Sequence, residues 1–547
     1  MTNGGGRIQV EVLPMTWFDR AQYRPRIGNG WYLLDERFRP TQEVPVDPPR
    51  EPAGDGTGDS PGGRAAVAAA ISAIARDWDL PVSPEADRSL RSISIGSTAA
   101  IVAGQQPGFL GGPLLVLYKA ITAIAAARRR EDLTGTPCVP IFWVASEDHD
   151  LDEVRETRMP GPGGEEAIYR LPHESDRRPL SDFAMDDRAL AILDAAREAV
   201  SKRRHGDEAA RLLDLYRGRS LASGFAAMLA SLLGRFGLIV VEPAPLRRLA
   251  RGLFQRVIEE PEAVLAAIDE GRRRVEEAGL EPFVAGRLPL FILLEGRRQH
   301  LSPAPGGLRV DGGGPLLERK ALLEQLERSP ESFSAAALLR PLIQDATLPS
   351  VLTIGGPAEV GYFAQLGPLA KFLGVPPPRI ALRFGATLFD GKLASTTVSG
   401  ETLAAARSPE DLLPPAEEPP AIARARTLPT RLEAELRDAV ASLPAGPEID
   451  RLNRRARDLA ADVDGLFGRI SRANAASSGR ELESARRYWR FAFPGDGLQE
   501  RRWAWIHFVA RHGTDWIEEL LTALRQDPLR VGHRRIVFPA GNGDGAR

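Results

Sequence analysis

Short, continuous apolar runs alternate with longer segments of helical periodicity along much of the chain. The apolar runs lie at residues 99–103, 139–145, 238–241 and 351–354. Runs of this length without polar interruption are typical of strands that are buried on both faces of a sheet. The helical segments lie at residues 65–78, 113–130, 221–236 and 358–373. This alternation predicts an α/β fold with a doubly wound parallel sheet at its centre.

Two long stretches interrupt the alternation. Residues 159–219 are polar and mixed in pattern. Residues 281–330 contain an apolar run, a Glu295-Gly296 turn and a return through His300, and this order predicts a β-ribbon. We expect both stretches to be connective segments inserted into a single core.

The composition along the chain predicts where the domains begin and end. We assign residues 1–395 to the core, which also carries a Pro-, Gly- and Asp-rich surface loop at residues 44–64. A proline-rich segment at residues 414–420 leads into helical patterns without strand signals. We therefore predict an α-helical domain at residues 396–494, and a return of the chain to the core at residues 495–547.

The strongest pattern in the helical domain is a seam of apolar side chains. They recur at alternating spacings of three and four, at Ile449, Leu452, Ala456, Leu459, Val463, Leu466 and Ile470. This spacing is typical of a coiled coil. A second apolar stripe precedes it at Leu432, Leu436, Val440 and Leu443. We predict an antiparallel helical hairpin and a homodimer formed through this coiled coil, with packing inside one chain as the alternative.

Composition and charge exclude several classes of protein. Hydrophobic residues make up 43% of the chain and charged residues 26%, which is ordinary for a globular enzyme. The formal net charge of -2 provides no positive field for nucleic acid. The single cysteine, Cys138, excludes an intramolecular disulfide and a cysteine metal cage, and its apolar surroundings favour a core position over a nucleophile. Without an apolar leader or a run of 18 apolar residues, we expect a cytoplasmic protein that does not contact membranes.

The first stretch with candidate chemistry is a strand, a glycine-rich loop and a helix in succession. Gly111 and Gly112 precede Pro113, which suits the first turn of a helix, so the free N–H groups of that turn form a candidate anion site. Gln105 and Gln106 offer amides beside it. Lys119 lies about two turns inside the helix, where we expect it to line the pocket as a catalytic candidate. Neither the dinucleotide fingerprint nor the Walker A pattern is present.

The second stretch runs from an apolar strand into four ionisable residues: Glu147, Asp148, His149 and Asp150. Ligands of parallel sheets bind at the carboxyl ends of the strands, which is where these residues are expected. Carboxylates around a histidine can orient it as a general base, bind an ammonium group or hold Mg²⁺. A polar loop that only caps the following segment is the alternative.

The third stretch repeats the order of strand, Gly-Gly-Pro and helix. Its candidate binding residues are Arg340, Gln344, Asp345, Gly355, Gly356, Glu359 and Tyr362. Glu359 falls in the first helical turn, where a carboxylate caps the helix or holds a substrate amine, and the sequence leaves both roles open.

Several ungapped motifs together resemble one known family. In chain order they are Ala-Gly-Gln-Gln-Pro-Gly, Gly-Gly-Pro-Leu with Leu-Tyr-Lys, Phe-Trp-Val-Ala-Ser-Glu-Asp-His-Asp, Leu-Arg-Pro-Leu-Ile-Gln-Asp, Gly-Gly-Pro-Ala-Glu and Leu-Gln-Glu-Arg. The chain is similar, from about residue 101 to residue 533, to the cysteine ligase family of bacillithiol biosynthesis, BshC. The resemblance implies a Rossmann-like core with connective insertions, and a coiled-coil dimerisation domain.

The resemblance also implies an activity, that of a class 6 ligase forming a C–N bond. Its small-molecule substrates would be L-cysteine and glucosaminyl-malate, joined as an amide in the last step of bacillithiol synthesis. The family fold is similar to that of class I aminoacyl-tRNA synthetases, which implies nucleotide assistance by ATP or ADP, with Mg²⁺ as an option and no protein metal site. Asp148 and His149 would handle the amines, and Gln105 and Gln106 would orient a carboxylate or phosphate. The wall of the pocket would be completed by Arg340, Gln344 and Asp345, with Glu359 and Tyr362 opposite.

The match has departures, and two other functions stay open. Ser334-Ala335-Ala336 stands where the family pattern has Ser-Pro-Asn, and Trp503-Ala504-Trp505 stands in place of Trp-Asn-Pro. The N-terminal hundred residues match the family only loosely. The alternatives are an adenylating ligase for another amino acid or amine, and a non-catalytic scaffold that binds a ligand.

Overall fold

The computed structural model describes most of the chain. The described residues are 8–13, 40–49, 51–52, 63–161, 165–278, 282–390, 398–413, 428–444, 446, 448–475 and 479–539, with the side chains of 470–481 left out. Residues 53–62 of the predicted loop and the proline-rich segment 414–420 lie outside these ranges. No helix in the described part is long and apolar enough to cross a membrane.

Fifteen strands in the described ranges form four sheets. They are β1 (Gln9–Val12), β2 (Ala99–Gln105), β3 (Cys138–Val144), β4 (Glu156–Pro160), β5 (Glu166–Arg170), β6 (Ile239–Val241), β7 (Leu290–Leu294), β8 (Arg297–Ala304), β9 (Gly307–Val310), β10 (Leu316–Glu318), β11 (Phe333–Ala335), β12 (Ser350–Gly355), β13 (Ile380–Leu382), β14 (Gly385–Phe389) and β15 (His533–Val537).

Twenty α-helices accompany them in the same ranges. They are α1 (Gly63–Asp77), α2 (Pro84–Ser92), α3 (Leu114–Thr134), α4 (Leu151–Val154), α5 (Asp187–Ser201), α6 (Gly206–Asp214), α7 (Leu221–Leu233), α8 (Arg251–Glu259), α9 (Pro261–Glu277), α10 (Arg319–Arg328), α11 (Arg340–Thr347), α12 (Pro357–Phe363), α13 (Gly367–Leu373), α14 (Gly400–Ala405), α15 (Leu428–Ala441), α16 (Glu448–Ala475), α17 (Gly479–Ala492), α18 (Gln499–Arg502), α19 (Trp505–His512) and α20 (Asp515–Leu524).

The central sheet is the parallel sheet that the apolar runs predict. Its strand order is β13-β12-β2-β3-β6, and every neighbouring pair is parallel. All seven residues of β3 are buried, which explains why that strand has no polar alternation. Helix α3 packs on β2 and β3, and also contacts α18 and α20 from the end of the chain. The α/β class is therefore confirmed.

The predicted insertions contain sheets of their own. β4 and β5 pair as a hairpin inside the first insertion. The predicted ribbon is confirmed at β7 and β8, and it is larger than expected because β9, β10 and β11 complete a five-stranded sheet in the order β10-β9-β8-β7-β11. Its last strand, β11, lies just after the predicted end of the insertion at residue 330.

One predicted helix is wrong in its extent. The pattern at 358–373 divides into α12 and α13, because Gly367-Pro368 begins a new helix at that point. Proline lacks the N–H that a continuous helix needs there and disfavours the α conformation of the residue before it.

The sequence did not predict the three-stranded sheet β1-β15-β14. β14 runs parallel to β15, with Gly385 opposite His533, and β1 pairs antiparallel with β15. The sheet therefore joins segments from both ends of the described chain to the strand that follows β13.

The two helices predicted as a hairpin pack against each other. α15 contacts α16. Within the predicted seam Ala456 is buried, whereas Leu452, Leu459 and Leu466 are 36%, 43% and 49% exposed. These three leucines of the seam are thus partly exposed to solvent in the single chain.

Candidate active site

The carboxyl ends of the central strands bring most of the predicted residues to one edge of the sheet. Gln105 at the end of β2 lies opposite Val144 at the end of β3, and Ile354 of β12 lies opposite Ala103. The loops that leave these strands carry Gln106, the acidic segment after β3 and the second Gly-Gly-Pro. This is the edge at which parallel sheets bind their ligands.

His149 and Asp148 form a compact polar group with an arginine that the sequence did not single out. The Nη1 of Arg298 lies 3.1 Å from His149 Nδ1 and 3.4 Å from Asp148 Oδ1. Gln106 Nε2 donates to Asp148 Oδ2 at 2.8 Å and to Glu153 Oε2 at 2.7 Å. The backbone N–H of His149 donates to Asp148 Oδ1, so this carboxylate fixes the loop as well as facing the site.

Arg298 comes from β8 in the second insertion and is held rigidly. Its Nε donates to Ser334 Oγ at 2.9 Å, its Nη2 donates to the Ala335 carbonyl at 2.8 Å, and its guanidinium lies 3.8 Å from the ring centre of Phe291. An arginine fixed by two partners and an aromatic face loses little further entropy when it acts on a neighbour.

The environment of His149 determines its protonation state. Partial burial and the adjacent Arg298 lower the pKa of His149 from its ordinary value, while Asp148 opposes the change. The imidazole is therefore neutral at pH 7. Because a guanidinium has no acceptor, Nδ1 must accept from Arg298, and the proton of the neutral ring lies on Nε2. His149 thus presents a hydrogen-bond donor to the site, whereas the sequence suggested a general base.

Lys119 is fully engaged in contacts with the protein. Its ammonium donates to the Gly104 carbonyl at 2.8 Å and to Gln105 Oε1 at 2.8 Å, and it forms an ion pair with Glu359. Three partners use all three donors of a lysine whose exposed fraction is 3%. These contacts tie α3 to the end of β2 and to α12, and the catalytic role of Lys119 stays a prediction. The amide oxygen of Gln105 accepts one of the three contacts of Lys119.

The contacts of Glu359 bear on the two roles, helix cap or holder of a substrate amine, that its position left open. Its carboxylate accepts from the Gly356 N–H at 2.7 Å in a capping box, and pairs with Lys119. Although burial opposes it, Lys119 and Arg340 lower the pKa of Glu359, so the group is charged. Arg340 lies 3.8 Å from the same carboxylate and donates to the Tyr362 hydroxyl. Glu359 is thus a cap and ion-pair partner, with Arg340 and Tyr362 held beside it.

Glu147 and Glu242 add a buried charged group next to these. Glu147 Oε2 forms an ion pair with Arg247 at 2.9 Å, and both side chains are less than 10% exposed. Glu242 directly follows β6, and its carboxyl accepts from Ser146 Oγ at 3.3 Å and from the Ala244 N–H. Burial raises the pKa of Glu242 to about 7, with Glu147 adding to the shift and Arg247 opposing it.

The first Gly-Gly-Pro junction is not the open anion site that the sequence predicted. The N–H of Gly111 donates to the Gly108 carbonyl and the Tyr216 hydroxyl, and the N–H of Gly112 donates to the Phe109 carbonyl. The indole of Trp505 fills the remaining space and donates to the Gly111 carbonyl at 2.7 Å. Close packing has therefore taken the amides that an anion would need.

Gln344 and Asp345 do not line the wall as expected. Gln344 is 1% exposed and donates to Thr353 Oγ1 in β12 at 2.8 Å, and Asp345 is 6% exposed. Gln344 thus ties α11 to β12. Gly355 allows a close approach of β12 to β13 and α12, because a Cβ there would lie 2.7 Å from Ile380 Cδ1 and 2.9 Å from Glu359 Cβ, and Gly356 follows it at the start of α12. Asp150 is exposed at the rim, and its N–H lies 3.4 Å from Asp148 Oδ1.

Sequence reasoning missed Arg298, Arg247 and Glu242. The alternation along β8 held one signal, since Arg298 and His300 fall on the same face of a strand and both are buried. Two positions that depart from the family pattern make contacts in the site, because the Ala335 carbonyl accepts from Arg298, and Trp505 packs on Gly111. Among the described residues, no group of three His, Cys, Asp or Glu side chains is arranged to hold a metal ion.

Comparisons with known proteins agree on one family. A sequence model described as "Bacillithiol biosynthesis BshC, N-terminal Rossmann-like domain" matches residues 55–384. Proteins named "Putative cysteine ligase BshC" are similar over most of their length. The one from Koribacter versatilis is 31% identical over 85% of this chain and 88% of its own. Those from Geobacillus thermodenitrificans and Symbiobacterium thermophilum are 30% identical, over 78% and 87% of this chain and 82% and 90% of theirs.

Proposed function

The chain belongs to the BshC family, and from that premise we propose that it is a cysteine ligase. The proposed reaction joins the carboxyl group of L-cysteine to the amine of glucosaminyl-malate, which forms an amide and completes bacillithiol. The observation that supports it most directly is the group formed by Asp148, His149 and Arg298 at the carboxyl edge of the parallel sheet. It combines a carboxylate for an ammonium group with donors for an oxyanion.

Each member of this group has a distinct task in amide synthesis. We propose that Asp148, with Glu153 and the exposed Asp150 nearby, orients the ammonium group of the acceptor and accepts a proton from it, so that the neutral amine can attack. The Nε2–H of neutral His149 donates to the oxygen on which negative charge develops as the amine attacks the activated carboxyl carbon. Burial and Arg298 together lower the pKa of His149, and the contact of Arg298 with Nδ1 fixes the tautomer, so Arg298 is a positioning residue for the donor.

A nucleotide supplies the leaving group that a free carboxylate lacks. We propose ATP as the co-substrate, which becomes ADP or AMP according to which phosphate accepts the carboxylate. The N–H donors of His149 and Arg298 suit a phosphate group, as does the guanidinium of Arg340, which lies beside Glu359. Mg²⁺ keeps most of its waters and binds through phosphate oxygens with one or two carboxylates, so the acidic segment after β3 is sufficient for it.

We also propose that the active form is a homodimer joined through a coiled coil of α16. The exposed Leu452, Leu459 and Leu466 recur every seven residues along this helix, as a coiled-coil seam requires. Because cysteine and the product carry free thiols, we propose that the enzyme works in the reducing cytoplasm.

The test is a direct incubation of the purified full-length protein with L-cysteine, glucosaminyl-malate, ATP and Mg²⁺. We expect mass spectrometry to show the condensed product, one water lighter than the sum of the two substrates, with ADP or AMP in equal amount. His149→Ala should reduce the rate about 100-fold, as the loss of an oxyanion donor does. Arg274→Gln, an exposed helix position paired with Glu270, is the control.

Three outcomes would count against the proposal. Consumption of ATP with a different amine, and none with glucosaminyl-malate, would make the protein a ligase for another acceptor. Absence of turnover with any amine would favour a ligand-binding scaffold. Full activity of His149→Ala would contradict the role assigned to that residue.

A further inference from the structure

A cavity rich in arginine lies beside the candidate active site. It has a volume of about 390 Å³, within the usual range for a small-molecule pocket. Five arginines line it: Arg155, Arg158, Arg170, Arg501 and Arg502. They come from the β4–β5 hairpin, from the residue before it and from α18, so the two sides of the cavity are far apart in the sequence.

The carboxylates around this cavity do not balance the arginines. The lining carboxylates are Asp152, Glu153 and Glu156, and with Glu166, which pairs with two of these arginines, four carboxylates stand against five arginines. Glu156 pairs with both Arg158 and Arg170. A fourth carboxylate, Glu166, is likewise shared, between Arg158 and Arg502.

Shared carboxylates leave guanidinium donors available to a ligand. A guanidinium has five N–H donors in a planar fork, so one carboxylate divided between two arginines satisfies only part of each. Arg158 and Arg502 are partly buried, which strengthens a contact to an anion compared with the same contact in water.

The cavity connects to the reaction centre through one side chain. Glu153 lines the cavity and accepts from Gln106 Nε2 at 2.7 Å, and the same Gln106 nitrogen donates to Asp148 at 2.8 Å. A ligand in the cavity therefore lies next to the carboxylate to which the proposed function assigns the amine.

We propose that this arginine cavity binds the dicarboxylate end of the amine substrate. The inference rests on the proposed function, in which the acceptor carries a malyl group with two carboxylates. Each carboxylate of such a dianion can accept two parallel N–H bonds from a guanidinium, and five guanidinium groups line the cavity. The cavity then selects an acceptor by its acidic end, while Asp148 takes the amine at the other end.

The experiment measures binding by the full-length protein without turnover. L-malate is the probe, followed by ligand-observed NMR at millimolar concentration, and glucosaminyl-malate is titrated by calorimetry. Arg170→Gln and Arg501→Gln are the variants, because both side chains are exposed and the partly buried arginines remain in place. Arg274→Gln is the matched control, since Arg274 is 54% exposed beside a glutamate, compared with 58% for Arg170.

We expect each cavity variant to bind L-malate and glucosaminyl-malate about ten-fold more weakly, and the control to bind like the unaltered protein. In turnover, the KM for glucosaminyl-malate should rise by a similar factor, with the KM for cysteine unchanged. Three results would overturn the proposal. The first is a loss of binding in the control as well, and the second is no binding of L-malate to the unaltered protein. The third is displacement of the probe by inorganic phosphate alone.

Failure of the proposed function would look different. In that case the cavity variants would still lose L-malate binding, but no condensed product would form from cysteine and glucosaminyl-malate. Conversely, product formation with no effect of Arg170→Gln or Arg501→Gln on the KM of the acceptor would keep the ligase and reject the cavity.

Discussion

At the residue scale, the protonation of His149 depends on burial and on one contact made across the fold. Arg298 approaches its Nδ1 to 3.1 Å and also approaches Asp148, so the cation and the anion act on the ring in opposite directions. Burial and Arg298 together prevail, and the pKa is lowered. The ring is therefore a neutral donor, whose chemistry depends on an insertion that the central sheet alone does not contain.

Arg298→Gln should raise the pKa of His149, because it removes the adjacent positive charge and leaves Asp148 in place. The measurement is a pH titration of the histidine ring signals by NMR on ¹³C-labelled protein, with the His149 signal assigned by its loss in His149→Gln. Arg274→Gln should leave the titration unchanged. An equal or lower pKa in Arg298→Gln would show that burial alone sets the value.

Glu242 should make the protein less stable as the pH rises from about 4.5 to about 7. Its pKa is raised to about 7 from 4.5, so in this window the folded state holds a proton that the unfolded chain has released. The neutral form is favoured by folding, and this contribution is lost as the pH approaches the folded value. The loss is at most about 3 kcal/mol.

Urea unfolding at pH 5 and pH 7.5 measures this effect. Between these two pH values, the unaltered protein should lose up to about 3 kcal/mol more stability than Glu242→Gln, because glutamine has no charge to bury. Glu262→Gln, at an exposed position of α9, is the control. The idea fails if Glu242→Gln and the unaltered protein show the same dependence on pH.

At the element scale, the junction between β2 and α3 is determined by packing. Gly111 has a φ of +89°, and a Cβ added there would lie 2.5 Å from the ring of Trp505. Trp505 begins α19, so the loop after β2 and a helix near the end of the chain fit together at this glycine. The Gly-Gly-Pro motif is needed for this close approach of the two elements.

Gly111→Ala should destabilise the fold by about 3 kcal/mol or more, since it adds a clash with Trp505 to an unfavourable φ. Gly135→Ala is the matched control, because Gly135 has a φ of +66° with nothing within 4 Å of the added Cβ. It should cost only about 1 kcal/mol. Chemical denaturation of both variants gives the comparison, and equal costs would show that the indole moves aside easily.

The elements of the central sheet could be predicted from sequence, whereas several side-chain roles could not. β2, β3 and β12 are apolar runs whose burial on both faces is visible locally. Lys119 lies at a position that a pocket residue would occupy, and its engagement depends on Glu359 from a distant helix. Such contacts arise from tertiary packing, so no local pattern indicates them.

At the scale of the whole molecule, we expect the exposed leucines of α16 to join two copies of the chain in a dimer. Leu459→Lys should convert a dimer to a monomer, because it places a charge at the centre of the seam that also contains Leu452 and Leu466. Analytical ultracentrifugation measures the mass against 59.4 kDa for one chain. Ile168→Lys, at a position 49% exposed on β5, is the control. A monomer in the unaltered protein would refute the dimer.

The three-stranded sheet β1-β15-β14 cannot be completed during synthesis until β15 has been made. β14 leaves the ribosome well before β15, so Gly385 must wait for its partner His533. At about 5–20 residues per second, the wait is on the order of ten seconds. Glu500, which accepts from the Ala386 N–H and pairs with Arg383, arrives in the same interval. Until β15 has been synthesised, the nascent chain therefore carries an unpaired strand edge at β14, which follows β13 of the central sheet. We expect a chaperone to protect the nascent chain at this edge.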